Sequence, residues 1–572
     1  MKTRKNTFKT YQQNQYMAIP PSLDELIPEN HPVRIVNRII DEIDIDSLVK
    51  SYKGGGCSSY NPRMLLKVLI YGYLNNIYSS RKLEAAVREN INFMWLAGMA
   101  RPEHNTINRF RSERLKGEIK KIFSQVVLFM SDRGLVDMRL AYTDGTIMEA
   151  NANRYTFVWG KNVTRYRENI VKQLEELWNY TQEVAAQELQ DTTPTSFEHI
   201  SSEELKQLVD TIDNALKDKP KDTKTQKQLN NAKKHWPDKL AAYEKQEQIL
   251  NGRNSYSKTD TDATFMRMKE DHLRNSQLKP AYNLQISTND QIITNYTVHQ
   301  NPADTTTLKS HLEQFKQHYG FLPSVLVADA GYGSEENYEY LFDDNNIEAY
   351  VKYNWFDKEN KQSGKDKKGE FHVDNLFYNP QHDCYYCPMG QQMVLRGIKE
   401  EKTSTGYVKT QHVYQAQNCN GCPMRGVCHN AEGHRIVRTS HKLRRLKERA
   451  KSLLLSPTGI FHRQKRPVDV EPVFGFIKHN RGHRRFLLRG IEKVNIEVGM
   501  LCISSNILKI IKLMGDLPHL DKLLSNFCVF LKKITDFLPH FQNWTFFHQT
   551  KLSMVKISKN RGFLRMILCG QK

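Results

Sequence analysis

The sequence lacks the long apolar runs and leader patterns that mark membrane and secreted proteins. Its apolar stretches, such as Met64–Tyr71, are broken by charge well before the ~18 residues that a membrane-spanning helix needs. The basic residues of Met1–Thr10 are not followed by an apolar core, so this segment does not have the pattern of a secretory signal. We therefore expect a cytoplasmic protein that does not bind a membrane.

Cysteine is also scarce, with nine residues in 572. In a cytoplasmic chain of this size, so few thiols argue against a disulfide framework and favour metal ligands or free thiols. Five of them lie between residues 384 and 428, which makes that segment the candidate for a metal site. The other four are scattered and are expected to be buried or free: Cys57, Cys502, Cys528 and Cys569.

Acidic residues are outnumbered by basic ones, with 63 Asp and Glu against 84 Lys and Arg, which gives a formal net charge of +21. This excess favours a polyanionic partner, because each Lys or Arg that neutralises a phosphate releases a condensed counterion. The expected partner is DNA, and a basic surface without a specific partner is the alternative. At 572 residues the chain is expected to contain more than one domain.

Residues 1–135 are predicted to form a helical DNA-binding domain. Its apolar residues recur at the spacing of a helix face, as in Leu65, Leu66, Leu69, Ile70 and Tyr73. Two short helices followed by a basic one would match a helix-turn-helix plan. An ordinary helical bundle with a basic exterior is the alternative.

The basic helix of this domain is predicted within Arg101–Arg114, where Pro102 is a plausible start. Its apolar face would bury Ile107 and Phe110. The residues expected on its exposed face, in contact with DNA, are Asn108, Arg109, Arg111 and Arg114.

The rest of the chain predicts one α/β domain that two insertions interrupt. The order strand, strand, strand, helix, strand, helix, strand is typical of a ribonuclease-H-like fold, in which helices flank a mixed sheet. The predicted segments are 136–161 (first part of the catalytic domain), 162–253 (helical or coiled-coil insertion), 254–354 (catalytic domain continued), 355–438 (Cys-rich, zinc-ribbon-like insertion), 439–512 (C-terminal helices of the catalytic domain) and 513–572 (a tail without assigned structure).

Three carboxylates lie in contexts suited to a catalytic metal. Asp144 and Asp329 each follow an apolar, strand-like run and have a glycine within two residues, and Glu471 opens a helical segment. Two carboxylates at strand ends and one on a helix can hold two Mg²⁺ ions, which prefer oxygen ligands and clamp the attacking and leaving oxygens of a phosphodiester. We expect Asp144 to bridge both ions, with Asp329 on one and Glu471 on the other. Taken singly, each residue is also typical of an ordinary strand or helix cap.

Four stretches together resemble bacterial insertion-sequence transposases of the DDE class: residues 144–155, 255–269, 329–338 and 470–478. The similarity extends over residues 10–512. It implies a catalytic domain with the ribonuclease-H-like fold of retroviral integrases, preceded by a helical domain that binds the inverted repeats of the transposon. It also implies DNA cleavage at the transposon ends and joining of 3′-hydroxyls to target DNA, with Mg²⁺ or Mn²⁺. Because two ends must be paired, a homodimer or a larger synaptic assembly is expected.

The third acidic segment departs from a signature that many of these transposases carry, Tyr-x2-Arg-x3-Glu-x6-Lys. Glu471 and Lys478 fit the signature, and their spacing places them on one helix face. Pro467 and Gln464 occupy the Arg and Tyr positions. Arg466, one residue early, is therefore the candidate substitute for the missing arginine.

Basic stretches at residues 441–451 and 478–489 flank Glu471. A run of charge is often only a solvated face, but these two bracket a site that must accept DNA. Phosphate contacts from this region are expected from Arg466, Lys478, Arg481 and Arg484.

The clustered cysteines predict a zinc ribbon. Cys384/Cys387 and Cys419/Cys422 are two Cys-x2-Cys pairs, the spacing with which four thiolates hold Zn²⁺ tetrahedrally. Cys428 makes the ligand set ambiguous, because it could replace Cys384. Such an ion would be structural and would stiffen an insertion that has little apolar content. The alternative is five reduced thiols without metal.

Two other functions are consistent with the sequence. One is a zinc-stabilised DNA-binding protein whose carboxylates hold no metal, which would bind DNA without cutting it. The other is a ribonuclease-H-like nuclease, which would cut DNA without joining the ends.

Overall fold

The computed structural model describes residues 22–52, 59–189, 197, 200–268, 277–360 and 371–516. The described residues divide into two compact units, one within 22–126 together with 503–516 and the other within 127–502. Cys502 is buried. The other three scattered cysteines and nearly all of the predicted tail lie outside the described residues.

The N-terminal part of the chain is helical, as predicted. Two helices begin at Pro32 and Pro62. Proline suits the first position of a helix because a backbone N–H there would have no acceptor within the helix. The side chains of His31 and Asn61 cap the first turns. The apolar residues predicted to form a helix face, between Leu65 and Tyr73, are buried. The helices are α1 (Pro32–Glu42), α2 (Asp46–Lys50), α3 (Pro62–Leu74), α4 (Ser80–Glu89), α5 (Ile91–Leu96), α6 (His104–Arg109), which a π turn (Phe110–Arg114) follows, and α7 (Ile119–Asp132).

The second unit is built on a mixed sheet, which the described residues form with six strands in the order β4-β5-β1-β7-β8, with β6 paired to β5. β1, β7 and β8 are parallel, whereas β5 is antiparallel to β1, β4 and β6. Nearly every residue of β5 and β6 is buried, as in a sheet that is covered on both faces. The strands are β1 (Leu140–Glu149), β2 (Phe157–Trp159), β3 (Ser255–Ser257), β4 (Thr264–Arg267), β5 (Leu278–Asn289), β6 (Ile292–His299), β7 (Val325–Ala328) and β8 (Glu348–Val351).

The helical insertion lies between β2 and β3, and these two strands pair with each other at its base. It contains α8 (Gly160–Ala185), α9 (Ser202–Ala215) and α10 (Thr223–Leu250). The three helices surround an apolar core of their own, which includes Leu174, Trp178, Leu205, Trp236 and Leu240. The described part of the insertion is therefore a three-helix bundle with its own core.

The Cys-rich insertion contains an antiparallel sheet, ordered β13-β12-β11-β10-β9 among the described residues. Its apolar core is small: among the described residues one cluster of buried side chains contains Leu376, Tyr385, Met393, Tyr414, Ala416, Cys419 and Val437. The strands are β9 (Tyr378–Asn379), β10 (Cys384–Tyr386), β11 (Gln392–Lys402), β12 (Val408–Ala416) and β13 (Ile436–Thr439).

Further helices lie between and after the strands, and one of them carries the third carboxylate. They are α11 (Leu308–Tyr319), α12 (Glu335–Glu339), α13 (Phe356–Glu359), α14 (His441–Leu455), α15 (Pro457–Asp469), α16 (Glu471–Gly475), which a π turn (Phe476–Asn480) follows, and α17 (Ile491–Asp516). The stretch Ile491–Leu513 of α17 is apolar and long enough to cross a membrane, but 72% of its most apolar window is buried. That burial is typical of a core helix in a soluble protein.

Candidate active site

Asp144 and Asp329 come from neighbouring parallel strands. β1 pairs with β7 from Leu140 to Tyr142, and Asp144 lies just beyond the last paired residue. β7 ends at Ala328, and Asp329 follows it directly. The prediction that both carboxylates end strands is wrong for Asp144, because β1 continues to Glu149 along its antiparallel partner β5. Asp144 is nevertheless at the end of the parallel pair, which places it on the same edge as Asp329.

The two carboxylates are fixed by local backbone hydrogen bonds. Oδ1 of Asp144 accepts from the N–H of Gly145 at 2.8 Å, and Oδ1 of Asp329 accepts from the N–H of Gly331 at 2.8 Å. Burial raises the pKa of Asp144 to about 6, Arg466 opposes this shift, and the charge of Asp329 adds to it. Asp144 is therefore a carboxylate whose ionised form the site destabilises.

Arg466 joins the first carboxylate to the third. Its Nη1 lies 3.0 Å from Oδ2 of Asp144, and its Nη2 lies 3.1 Å from Oε1 of Glu471. Both Asp144 and Arg466 are largely buried, whereas the Glu471 side chain is 51% exposed. Although Pro467 occupies the signature position, the displaced arginine reaches the carboxylates from the last turn of α15.

Lys478 also reaches the strand that carries Asp144. Its Nζ donates to Oγ1 of Thr146 at 2.5 Å, two residues beyond Asp144 in β1. The lysine is buried, and it lies in the π turn that follows α16. The segment of Glu471 and Lys478 therefore packs against β1 through its basic end.

Asp304 is an acidic residue of this site that the sequence reasoning missed. Its Oδ1 accepts from Nδ2 of Asn283 at 2.9 Å and from Nε2 of Gln285 at 2.8 Å. A Cβ added to Gly145 would lie 2.7 Å from Oδ1 of Asp304, and one added to Gly331 would lie 3.5 Å from its Oδ2. Asp304 is thus packed between the glycines that accompany Asp144 and Asp329, and Gly145 leaves room for it. Asp304 follows a polar segment. It is not preceded by an apolar, strand-like run like those before Asp144 and Asp329, so the sequence pattern did not identify it.

Tyr332 lies among these acidic residues. Its side chain is fully buried, and its hydroxyl donates to Oε1 of Gln285. Burial is the largest cause that raises its pKa, and the negative charges of Asp304, Asp144 and Asp329 raise it further. The tyrosine therefore stays protonated and supports the network that holds Asp304.

Asp469 fixes the position of the helix that begins at Glu471. Its buried carboxylate accepts from Oγ1 of Thr288 at 2.7 Å, from the N–H of Asp290 at 2.9 Å and from the N–H of Gln291 at 3.1 Å. Asp290 and Gln291 form the β5–β6 turn with φ of 53° and 65°. One carboxylate therefore binds the end of α15 to a tight turn of the sheet.

The expected DNA-contacting residues of the N-terminal unit do not all face solvent. Ile107 and Phe110 are buried, as predicted. The expectation that Arg111 is exposed is wrong: it is 4% exposed, and its guanidinium donates to the carbonyl of Tyr78 at 2.6 Å. Because Phe110–Arg114 forms a π turn, the helical spacing that predicted the exposed face does not continue through it. The exposed residues of the predicted set are Asn108, Arg109 and Arg114.

The basic stretches near Glu471 are partly used within the protein. Arg484 is exposed, but Arg481 is only 5% exposed, with its guanidinium 5.5 Å from the Phe476 ring centre. This burial conflicts with a direct phosphate contact by Arg481. In the 441–451 stretch, ion pairs join basic side chains to acidic ones: Lys442 to Glu339, Arg445 to Asp343 and Lys451 to Glu359.

The clustered cysteines separate into two environments. One small cavity is lined by Cys387, Cys419, Cys422 and Cys428, and Cys384 is buried in β10 away from its lining. None of the five forms a disulfide. Across the part of the chain that the structure describes, no three or more His, Cys, Asp or Glu side chains are already arranged to hold a metal ion.

Two family models match the chain. Residues 386–511, which include Glu471, match a family described as Transposase DDE domain. Residues 21–113 match a family described as Transposase domain (DUF772). Asp144 and Asp329 lie outside both matched segments. No curated protein and no solved structure matched the chain.

Both matched families are families of transposase domains, and the matched segments lie near the two ends of the described chain. The predicted resemblance to insertion-sequence transposases of the DDE class is confirmed by both of them. The predicted mixed α/β domain behind a helical N-terminal region is confirmed as well.

Proposed function

We propose that this transposase cuts DNA at the ends of its own mobile element and joins the resulting 3′-hydroxyls to target DNA. The observation that carries the proposal is that Asp144 and Glu471 both form ion pairs with the guanidinium of Arg466. Asp329 follows the end of the strand next to that of Asp144. These residues come from three distant segments, and the third lies in the matched DDE segment. A ribonuclease-H-like fold is part of the proposal, and the mixed sheet with its parallel β1, β7 and β8 supports it.

The acidic residues have the ligand chemistry that a Mg²⁺ or Mn²⁺ site needs, although in the described part of the chain they are not arranged around an ion. Carboxylate oxygens are the ligands that these ions prefer, and the raised pKa of Asp144 reflects negative charge held in a buried site. We assign Asp144, Asp329 and Glu471 as the residues that would hold two ions, with Asp304 as an added acidic neighbour. When bound, such ions supply a reactive nucleophile and stabilise charge on the attacking and leaving oxygens.

Arg466 and Lys478 have defined tasks in this proposal. Arg466 hydrogen-bonds to the carboxylates of Asp144 and Glu471, so it would orient these two groups and share them with any bound ions. The half-exposed Glu471 can change partner without a rearrangement of the core. Arg466 would also neutralise phosphate near the scissile bond, whereas the buried Lys478 would hold the segment of Glu471 against β1 through Thr146.

DNA binding is assigned to both ends of the described chain. The exposed Asn108, Arg109 and Arg114 of the N-terminal unit would contact the inverted repeats, and Arg484 would contact DNA near the acidic site. The net charge of +21 favours such contacts. Two ends must be brought together for transposition, so we propose a homodimer or a larger assembly.

The test is an assay of the products that purified protein forms from a DNA fragment carrying both ends of the element, with Mg²⁺ and a target plasmid. Transposition predicts cleavage at the ends and new junctions between end and target. Cleavage without junctions would instead favour a nuclease, and a stable complex without cleavage would favour a DNA-binding protein that has no catalytic activity. Either of these two results contradicts the proposed function.

A further inference from the structure

The sequence leaves open which of five cysteines could bind zinc, and the packing of the insertion distinguishes among them. Cys387, Cys419, Cys422 and Cys428 line one cavity of about 20 Å³. A volume of that size admits one water-sized particle, so it suits a single ion and excludes an organic ligand. Cys384 is not in the lining.

Three of the four sulfurs accept hydrogen bonds from surrounding N–H groups. The backbone N–H of Gln391 donates to Sγ of Cys387 at 3.3 Å, and that of Arg435 donates to Sγ of Cys419 at 3.4 Å. The Nη1 of Arg435 donates to Sγ of Cys428 at 2.8 Å. These N–H groups would remain as outer hydrogen-bond partners of the sulfurs in a metal-bound site.

Cys384 occupies a different environment. It lies in β10, where it pairs with Val394 of β11 and Asn379 of β9, and it is buried. Its sulfur accepts from the side-chain amide of Gln392 at 3.3 Å. Cys387 lies just beyond the end of β10, and of the two members of this Cys-x2-Cys pair it is the one that lines the cavity.

We propose that Cys387, Cys419, Cys422 and Cys428 bind one structural Zn²⁺ and that Cys384 does not. The charge of the surroundings supports this choice: four thiolates and one Zn²⁺ carry a net charge of −2, and two arginines, Arg425 and Arg435, line the same cavity. In the structure the four side chains line the cavity without forming a closed coordination sphere. The ion would draw the sulfurs to about 2.3 Å from a common centre.

The insertion has a physical need for such an ion. Its core, described above, has seven buried residues, and a core of that size supplies little stability by itself. Cys419 belongs to this core, so an ion at the cavity would bind the loop of Cys419–Cys428 to the end of β10. This inference does not depend on the catalytic proposal, because zinc content can be measured without DNA.

The experiment measures the zinc content of the full-length protein, purified without added chelator. We expect about one Zn²⁺ per chain, retention of zinc in Cys384→Ser and its loss in Cys428→Ser. Cys384→Ser is the matched control, because it removes a buried thiol from the same insertion. Absence of zinc from the wild-type protein, or loss in Cys384→Ser with retention in Cys428→Ser, overturns the proposal.

Substitution with Co²⁺ gives a second readout, in case Cys428→Ser fails to fold. Four thiolate ligands predict the intense sulfur-to-cobalt charge-transfer bands of a tetrahedral site, unchanged in Cys384→Ser. His429 also lines the cavity, and both of its ring nitrogens are buried without a hydrogen-bond partner. An unchanged cobalt spectrum in His429→Ala supports the four-sulfur set. A spectrum altered by that substitution contradicts it.

Discussion

Replacing Asp144 with Asn should stabilise the protein while it abolishes activity. In the folded chain the carboxyl group is 17% exposed and its pKa is about 6, mainly because of burial, whereas the ordinary value is 3.8. Folding therefore disfavours the ionised form. Asparagine keeps the shape of the side chain but has one acceptor oxygen, so it loses one of the two hydrogen bonds from Gly145 and Arg466. It carries no charge that burial and Asp329 could penalise, and we expect this gain to exceed the loss.

The magnitude follows from the difference between these two pKa values. It corresponds to about 3 kcal/mol of unfolding free energy, as an upper limit, for the fully ionised group. Because the folded-state pKa is raised, the wild-type protein should lose this stability as pH rises from near 4 through 6. The gain in unfolding free energy from Asp144→Asn should thus be largest above pH ~7. Near pH 4 the gain should be smaller than ~1 kcal/mol.

The assay compares thermal unfolding of wild type and Asp144→Asn at pH 5 and pH 8, without divalent ions. We expect a midpoint that is a few degrees higher for the variant at pH 8 and a clearly smaller difference at pH 5. Asp357→Asn is the control, because Asp357 is an exposed carboxylate paired with Lys352 at 3.0 Å and such pairs contribute at most about 1 kcal/mol. A variant that is less stable than wild type at pH 8, or equally favoured at both pH values, refutes the reasoning.

Three further predictions concern the surroundings of the acidic site. Gly145→Ala should destabilise the second unit by roughly 1–3 kcal/mol and impair strand transfer, because the added Cβ would lie 2.7 Å from Oδ1 of Asp304; chemical denaturation and the transfer assay measure both effects. Asp469→Ala should lower the free energy of unfolding by about 2–4 kcal/mol, because two backbone N–H groups of the β5–β6 turn and one hydroxyl lose their acceptor. Unfolding by urea measures this loss, and a value below about 0.5 kcal/mol would contradict the prediction. Arg466→Ala should raise the pKa of Asp144 further, since Arg466 lowers it. The acidic limb of the pH–rate profile should therefore move to higher pH. If the limb does not move, the contact between Arg466 and Asp144 has no part in the reaction.

Several features of the fold could be predicted from the sequence because their causes are local. The turn between β5 and β6 is formed by Asp290 and Gln291, and polar residues that adopt positive φ are typical of such tight turns. Apolar spacing also identified the buried face of α3. The strand-like runs led to Asp144 and Asp329, although β1 continues past Asp144 along β5.

Other features depend on contacts between distant segments, which no local pattern encodes. Asp304 lies in the site because Asn283 and Gln285 of β5 hold it there. Arg466 contacts Asp144, which is 322 residues away in the sequence. The position of Arg466, one residue from the arginine of the signature, therefore could not show whether it replaces that arginine. The burial of Arg111 follows from a π turn, a departure from regular helical spacing that the sequence pattern did not indicate.

The proposed activity rests on the three carboxylates, and their removal one at a time is the decisive measurement. Strand transfer from paired element ends to a target plasmid would be followed with Mg²⁺ for the wild-type protein, Asp144→Asn, Asp329→Asn and Glu471→Gln. We predict new junctions with the wild-type protein and fewer junctions with each variant. The decrease should be at least ~10–100-fold, which is what a metal site loses when a residue that hydrogen-bonds to one of its ligands is removed. Each variant should still bind the ends. Wild-type levels of junctions in all three variants would contradict the assignment of this site.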